Sequence, residues 1–375
     1  MVTTMKYPYE FNKERRKKAR IYTQIRIINS VINGLLLPIT FFYIFLVLGF
    51  STGLRDAVQN AAAYIFIFLS LLTIAEFPLR FYSGFILEHR YGLSNQRLSG
   101  WFKDYFKGLF ISYLFSVPVI LGLYLLLPVS NWWIYAGVAY TLLTLFINYI
   151  FPVVIFPFFY KVTPYKDARM KKRLIKMAAR FGKRINNVFV AKESEKSKKV
   201  NAMFFGLGPT KRIVLFDNLL KYFRKDEVET VIGHELGHYV NMDSIRYLII
   251  DAIKIFPALL AIDFLLKKTV GTFGINAIND IASLPLFLLA YSAIDLILMP
   301  VINTYSRHRE SEADLFALQA SNKPKAQEST EKRLADMDLV DDRPHPLVEF
   351  MLFTHPAVWR RIEMCREWKS KRRFV

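Results

Sequence analysis

Two histidines, His234 and His238, stand four residues apart with Glu235 directly after the first, in the run H-E-L-G-H. On a helix, positions i and i+4 share a face, so both imidazoles can offer a nitrogen to one metal ion. Glu235 lies a little around the same turn, where it can reach a water held by that ion and take its proton. This is half of a zinc hydrolase site, because a catalytic zinc needs three protein ligands and an open position for water.

The remaining ligand has few sources. The single cysteine, Cys365, excludes both an internal disulfide and a thiolate cluster. The other histidines are His89, His308, His345 and His355, of which His89 and His345 read as structural or surface residues. The run Y-S-R-H-R-E-S-E-A-D from Tyr305 to Asp314 places Glu310 and Asp314 four apart, on one helix face. With Glu310 as ligand, Asp314 is free to accept a hydrogen bond from a ligating imidazole and fix its tautomer. His308 and Glu312 compete for the role but are offset from Asp314 around the helix.

These residues need elements to hold them. Asp226 with Glu229 resembles a capping box that opens the H-E-L-G-H helix. Ahead of it come a basic amphipathic helix over Lys166 to Phe181 and three strand-like runs, Asn187 to Val190, Lys199 to Phe205 and Arg212 to Phe216. Gly206-Leu207-Gly208-Pro209 reads as the hairpin turn between the last two, not as a nucleotide-binding loop. An open edge on such a sheet would accept an extended peptide as a further strand.

The rest of the chain is unusually apolar for one so charged. Of 375 residues, 53% are hydrophobic, with 33 Phe and 20 Tyr, yet the formal net charge is +20. A bilayer is the expected solvent for part of it. Six apolar segments are long enough to cross: Ile28 to Phe50, Ala61 to Phe85, Leu109 to Leu127, Trp132 to Tyr160, Tyr247 to Leu266 and Ile281 to Ile302. Met1 to Arg20 is polar and basic, unlike a cleavable leader. Lys and Arg crowd the head, the 161–246 interval and the tail, which puts both termini and the H-E-L-G-H helix on the cytoplasmic side. The basic runs read as solvated or headgroup-bound faces, with no nucleic acid or nucleotide as partner. Within the spans, Glu76 with Arg80 and Asp251 with Lys254 can pair, whereas Asp263 and Asp295 look unpaired and hint at a wet interior.

H-E-L-G-H, the S-R-x-x-E-x-x-A-D of Ser306 to Asp314 and the T-H-P of Thr354 to Pro356 together resemble the type I CAAX prenyl proteases, integral-membrane zinc metalloendopeptidases related to the HtpX-type membrane proteases. Lys199 to Ala202 leading to Lys211 to Asp217, and the run E-H-R-Y-G-L-S-N-Q from Glu88 to Gln96, extend the resemblance. It implies one Zn2+ per chain held by His234, His238 and Glu310, with Glu235 as general base and Asp314 supporting a ligand. It also implies Asn201, beside Ala202, on an edge strand that pairs with substrate, and His355 and Arg361 near the reacting carbonyl. Helices around a water-filled chamber, a lipid bilayer and a peptide or protein substrate, isoprenylated or not, belong to the same expectation. General quality-control proteolysis and a non-catalytic metal-binding transporter or scaffold are the alternatives. Eukaryotic members carry an additional N-terminal span, so this chain reads as a shorter, prokaryotic form; Ala357 replaces the family's second proline.

The expected fold is mainly α: a polytopic helical membrane protein of about six spans enclosing a chamber, with a cytoplasmic zinc-metalloprotease module containing a small β-sheet. Residues 1–160 would form a membrane region with four spans and 161–245 the module. Residues 246–304 would add two more spans, and 305–375 a cytoplasmic segment supplying the third ligand.

Overall fold

The computed structural model describes residues 7–183, 188–206, 210 and 212–371. Asn187, Lys211, the end of the basic tail and residues 207–209 of the expected hairpin turn lie outside them.

Four long helices come first: α1 (Lys13–Val47), α2 (Ala61–Arg90), α3 (Leu98–Leu126) and α4 (Trp132–Phe159). α1 starts well before the expected span because Asn12 caps it, its Oδ1 accepting the Arg15 N–H at 3.1 Å. The basic head is therefore helical, and Arg16 leaves the headgroup-bound role expected of it to pair with buried Asp336 at 2.6 Å. Large apolar side chains such as Phe110 and Leu125 point outward on these helices, as a hydrocarbon solvent requires. The inward faces meet in an aromatic core that includes Phe41, Phe45, Phe68 and Trp132.

Next comes a four-stranded sheet, β1 (Val162–Pro164), β2 (Val188–Ala191), β3 (Ala202–Phe205) and β4 (Arg212–Phe216), in the order β1-β2-β4-β3. β1 was not expected: three residues ending in proline carry too little alternation to signal a strand. β4 is central and its Ile213, Val214 and Leu215 are fully buried, whereas β3 is an edge. α5 (Ala168–Ala179) covers one face through Met170, Leu174 and Met177.

α6 (Lys225–Val240) carries the histidines. Its cap differs from expectation. Glu227, not Glu229, reaches back, accepting the Arg224 N–H at 2.9 Å, so Asp226 lies inside the first turn. A tight turn through Met242, at φ +56°, leads to α7 (Asp243–Thr269). α8 (Leu284–Ser321) and α9 (Pro324–Met337) follow, and after a short helix at Pro346–Leu352 comes α10 (Val358–Lys371), the last element described.

Among the described residues five helices, α1 to α4 and α8, are long and apolar enough to cross a membrane, where six were expected. The sixth, α7, is long enough but carries Asp251, Lys254 and Asp263 along its length. Asp263 and Asp295 are also not unpaired. Asp263 accepts from Trp132 Nε1 and Lys267 Nζ, each at 2.7 Å, and Asp295 from Lys254 Nζ at 3.1 Å. The wet interior inferred from unpaired acids loses that support.

α8 is the element that links bilayer and site. Its 38 residues run about 57 Å at 1.5 Å per residue, nearly twice a ~30 Å hydrocarbon core. The apolar first part can span while the charged last part, with Glu310 and Asp314, extends beyond it alongside α6.

Candidate metal centre

α6 and α8 lie close because each offers small residues at i and i+4. A methyl built on Gly237 would stand 2.9 Å from Ala313 Cα, and one on Gly233 would stand 3.2 Å from Ala317 Cα. Any larger residue would force the helices apart. At this separation His234 Nε2 is 3.2 Å from Glu310 Oε2, His238 Nε2 is 3.5 Å from Oε1, and the two Nε2 atoms are 3.2 Å apart. Among the described residues this is the one group of three His, Cys, Asp or Glu side chains whose donor atoms lie within 4.8 Å of one another. His308 and Glu312 do not join it. They pair with each other at 3.0 Å on the exposed side of α8.

These residues fit a metal ion. Glu310 Oε2 is buried and accepts no hydrogen bond, an expensive condition that a cation would relieve. Both histidines have the opposite nitrogen already engaged. His234 Nδ1 is 2.9 Å from Asp314 Oδ1 and His238 Nδ1 is 2.8 Å from Asp243 Oδ2. A proton shared with a carboxylate at Nδ1 leaves Nε2 as the lone-pair donor facing Glu310. Two imidazole nitrogens and one carboxylate form the donor set of a catalytic transition-metal site.

The carboxylates are anchored in turn. Arg361 grips Asp314 with two bonds, Nε to Oδ2 and Nη2 to Oδ1, both 2.6 Å, and places Nη1 2.7 Å from Glu331 Oε2. Arg309 Nε donates to Asp243 Oδ1 at 2.6 Å, and its Nη1 pairs with Glu312. Asp243, Arg309 and Glu331 were missed in the sequence. The one available signal was Asp243, a carboxylate opening the helix that follows His238.

Protonation follows from this cage. Without a metal, burial works against charge on His238, but the Asp243 and Glu310 carboxylates outweigh it and raise its pKa to about 9. Burial likewise opposes charge on His234, where Asp314 and Glu310 raise it well above the ordinary imidazole range. Burial pushes the Glu235 carboxyl up, against the pull of His234 and His238.

Glu235 faces the sheet, its Oε2 accepting the Phe204 N–H of β3 at 3.1 Å. Asn201 turns its carbonyl inward to the Phe216 N–H of β4, at 3.2 Å. The alternation of a strand then turns the N–H and C=O of Ala202 to the open edge, where Asn201 Oδ1 accepts the Ala202 N–H at 2.8 Å. His355 stands on the opposite side, Nε2 3.4 Å from Glu310 Oε2 and the side chain 57% exposed. A cavity of about 130 Å³ opens between them, bordered by Asn201, Glu235 and His355 and lined farther in by Thr230, Glu331 and Leu334. Seven of the nine residues expected at the site, Arg361 among them, line this cavity, and His238 and Glu310 stand beside it against His234.

Comparison with known proteins decides the family. Residues 164–369 match Peptidase family M48, and residues 6–161 match the CAAX prenyl protease N-terminal family, described as five membrane helices. The chain belongs to peptidase family M48. As an M48 peptidase it is a membrane-embedded metalloendopeptidase acting on peptide or protein substrates. It is 28% identical over 340 residues to the metalloprotease YhfN of Bacillus subtilis, covering 86% of this chain and 79% of that one. It is likewise 28% identical over 333 residues to CAAX prenyl protease 1 of Saccharomyces cerevisiae, covering 82% and 72%. Its fold matches the crystal structure of S. mikatae Ste24p with a TM-score of 0.84 at 22% identity, covering 96% of this chain and 91% of that one.

Proposed function

We propose that this M48 peptidase binds one Zn2+ through His234, His238 and Glu310 and cuts a peptide laid along β3 as an added strand. The observation that carries the reading is the convergence of those three donors beside Glu235 and an open strand edge. When bound, the zinc supplies a Lewis acid for the scissile carbonyl and a water whose pKa is lowered to about 7. Glu235 takes the proton of the attacking water and returns it to the departing amine. His355, on the far side of Glu310, donates to the oxygen that becomes negative as the carbonyl turns tetrahedral. Arg361 acts one layer back, since its guanidinium is held by Asp314 and Glu331, and steadies the carboxylate that orients His234. Asn201 and Ala202 hold the substrate backbone through the outward N–H and C=O of Ala202.

The substrate assigned is an extended C-terminal segment of a membrane-bound or isoprenylated protein, in line with the relatives named CAAX prenyl proteases. The site and both termini face the cytoplasm, on the distribution of Lys and Arg. The test uses the full chain in liposomes with a farnesylated C-terminal peptide and its unlipidated twin. Wild type and Glu235→Ala should each carry one zinc, with cleavage by wild type alone and faster for the farnesylated peptide. Equal cleavage by both proteins removes the role of Glu235, and equal rates for the two peptides remove the lipid preference.

A further inference from the structure

The run Glu88–Gln96 joins α2 to α3 and has no part in the chemistry above, yet it is folded onto the segment that leads into β3. Gly92, at φ +68°, ends α2, and the Leu93 N–H closes the turn on the Glu88 carbonyl at 2.8 Å. Beyond it the run pairs antiparallel with residues 196–198. The Asn95 N–H donates to the Lys196 carbonyl at 2.9 Å, the Lys198 N–H to the Leu93 carbonyl at 2.8 Å, and Ser94 sits opposite Ser197. Lys199 Nζ closes the grip 2.8 Å from Glu88 Oε1, which also accepts from the Tyr22 hydroxyl of α1.

The same segment is held from two other directions. The Val200 N–H donates to Asp338 Oδ1 at 3.1 Å, just past the end of α9. Asn218, which is buried, donates Nδ2 to the Ser197 carbonyl at 2.8 Å and to the Lys199 carbonyl at 2.9 Å. Every residue from Lys196 to Val200 is thus tied to the membrane half, to the end of α9 or to Asn218 in the short helix Asp217–Tyr222 after β4, and the next residue is Asn201. Among the described residues β3 itself pairs only with β4.

An edge strand that receives a peptide binds it more tightly if the strand is already ordered, because ordering on binding subtracts from affinity. The geometry points to Glu88, Lys199 and Asp338 as positioning residues for substrate: they fix the lead-in of β3 to α2 on one side and to the end of α9 on the other, so that Ala202 presents its backbone at a set place beside Glu235. This rests on the reading that the peptide adds to β3. Because none of the three touches the metal donors, their loss should appear in binding and not in chemistry.

The test uses full-length, zinc-loaded protein in liposomes and a peptide series N-methylated at one backbone position at a time. Glu88→Gln, Lys199→Met and Asp338→Leu should each raise KM about tenfold, with kcat and bound zinc within about twofold of wild type. The Glu88→Gln/Lys199→Met double variant should be no worse than either single one, as expected of partners. N-methylation at one position should raise KM in wild type. If no methylated position matters, strand addition on β3 is wrong. If methylation matters but the variants leave KM within about twofold, or lower kcat or bound zinc instead, the positioning role is overturned. Should Glu88→Gln fail to fold, Lys199→Met and Asp338→Leu read the same two sides of the grip.

Discussion

The two histidines of the centre are held by the same device in different surroundings. His234 leans on Asp314, which is 1% exposed, then on Arg361 and then on buried Glu331, supplied by α8, α10 and α9 in turn. His238 leans on Asp243, then on Arg309 and then on Glu312, whose side chain is 39% exposed. Both arms deliver an Nε2 lone pair to one point. The first ends in the protein interior, where charges are little screened and a broken pair leaves an uncompensated ion. The second ends at water, which can replace its last partner. The buried arm should therefore be the more fragile.

The largest expected effect removes what the arms share. Glu310→Ala should strip the ion on dialysis and reduce cleavage to background, with both arms otherwise intact. Next come the arms themselves. Asp314→Ala should weaken metal binding by about a hundredfold and Asp243→Ala by about tenfold, the two ends of the range for partners that orient ligating histidines. Competition against a fluorescent chelator measures both, and equal losses would erase the distinction between the arms.

Acidity offers a gentler probe. In the metal-free protein both histidine pKa values are raised, that of His238 to about 9, so a proton must leave as the ion enters. Metal affinity should then rise with pH up to about 9 and fall as pH drops, by about tenfold per unit for each proton displaced. Titrations between pH 6 and 8 would show this slope, and a flat profile would contradict the protonated cage. The smallest effect belongs to Glu312→Ala, which removes only the solvent end of the weaker arm and should leave metal affinity within about twofold.

What the sequence disclosed of this arrangement follows the range of its patterns. His234, Glu235, His238, Glu310 and Asp314 were legible because a helix converts a spacing of four into a shared face. The meeting of the two helices was not, although Gly233, Gly237, Ala313 and Ala317 carry it at the same spacing, because small residues give no hydrophobic period. Arg309 lacks any local pattern and Asp243 offers only its place at the start of the helix after His238; their pairing depends on the Met242 turn and on the register of α8. The count of about six spans differs by one from the five helices that length and composition give, because Asp251, Lys254 and Asp263 interrupt the apolar residues of α7. Trp132 and Lys254, which reach Asp263 and Asp295, are distant in sequence, whereas Lys267, the other partner of Asp263, stood at the helical spacing of four and was overlooked. The capping box was misplaced because Asp226 with Glu229 satisfies the same spacing as Arg224 with Glu227.

X-ray absorption at the zinc edge, on the full chain loaded with one equivalent of zinc, tests the convergence most directly. The predicted spectrum shows two imidazole nitrogens at about 2.0–2.1 Å and carboxylate oxygen at about 2.0–2.2 Å, and loses the carboxylate in Glu310→Ala. A spectrum with fewer than two imidazoles, or one unchanged by Glu310→Ala, would contradict the assignment of His234, His238 and Glu310 to a single ion.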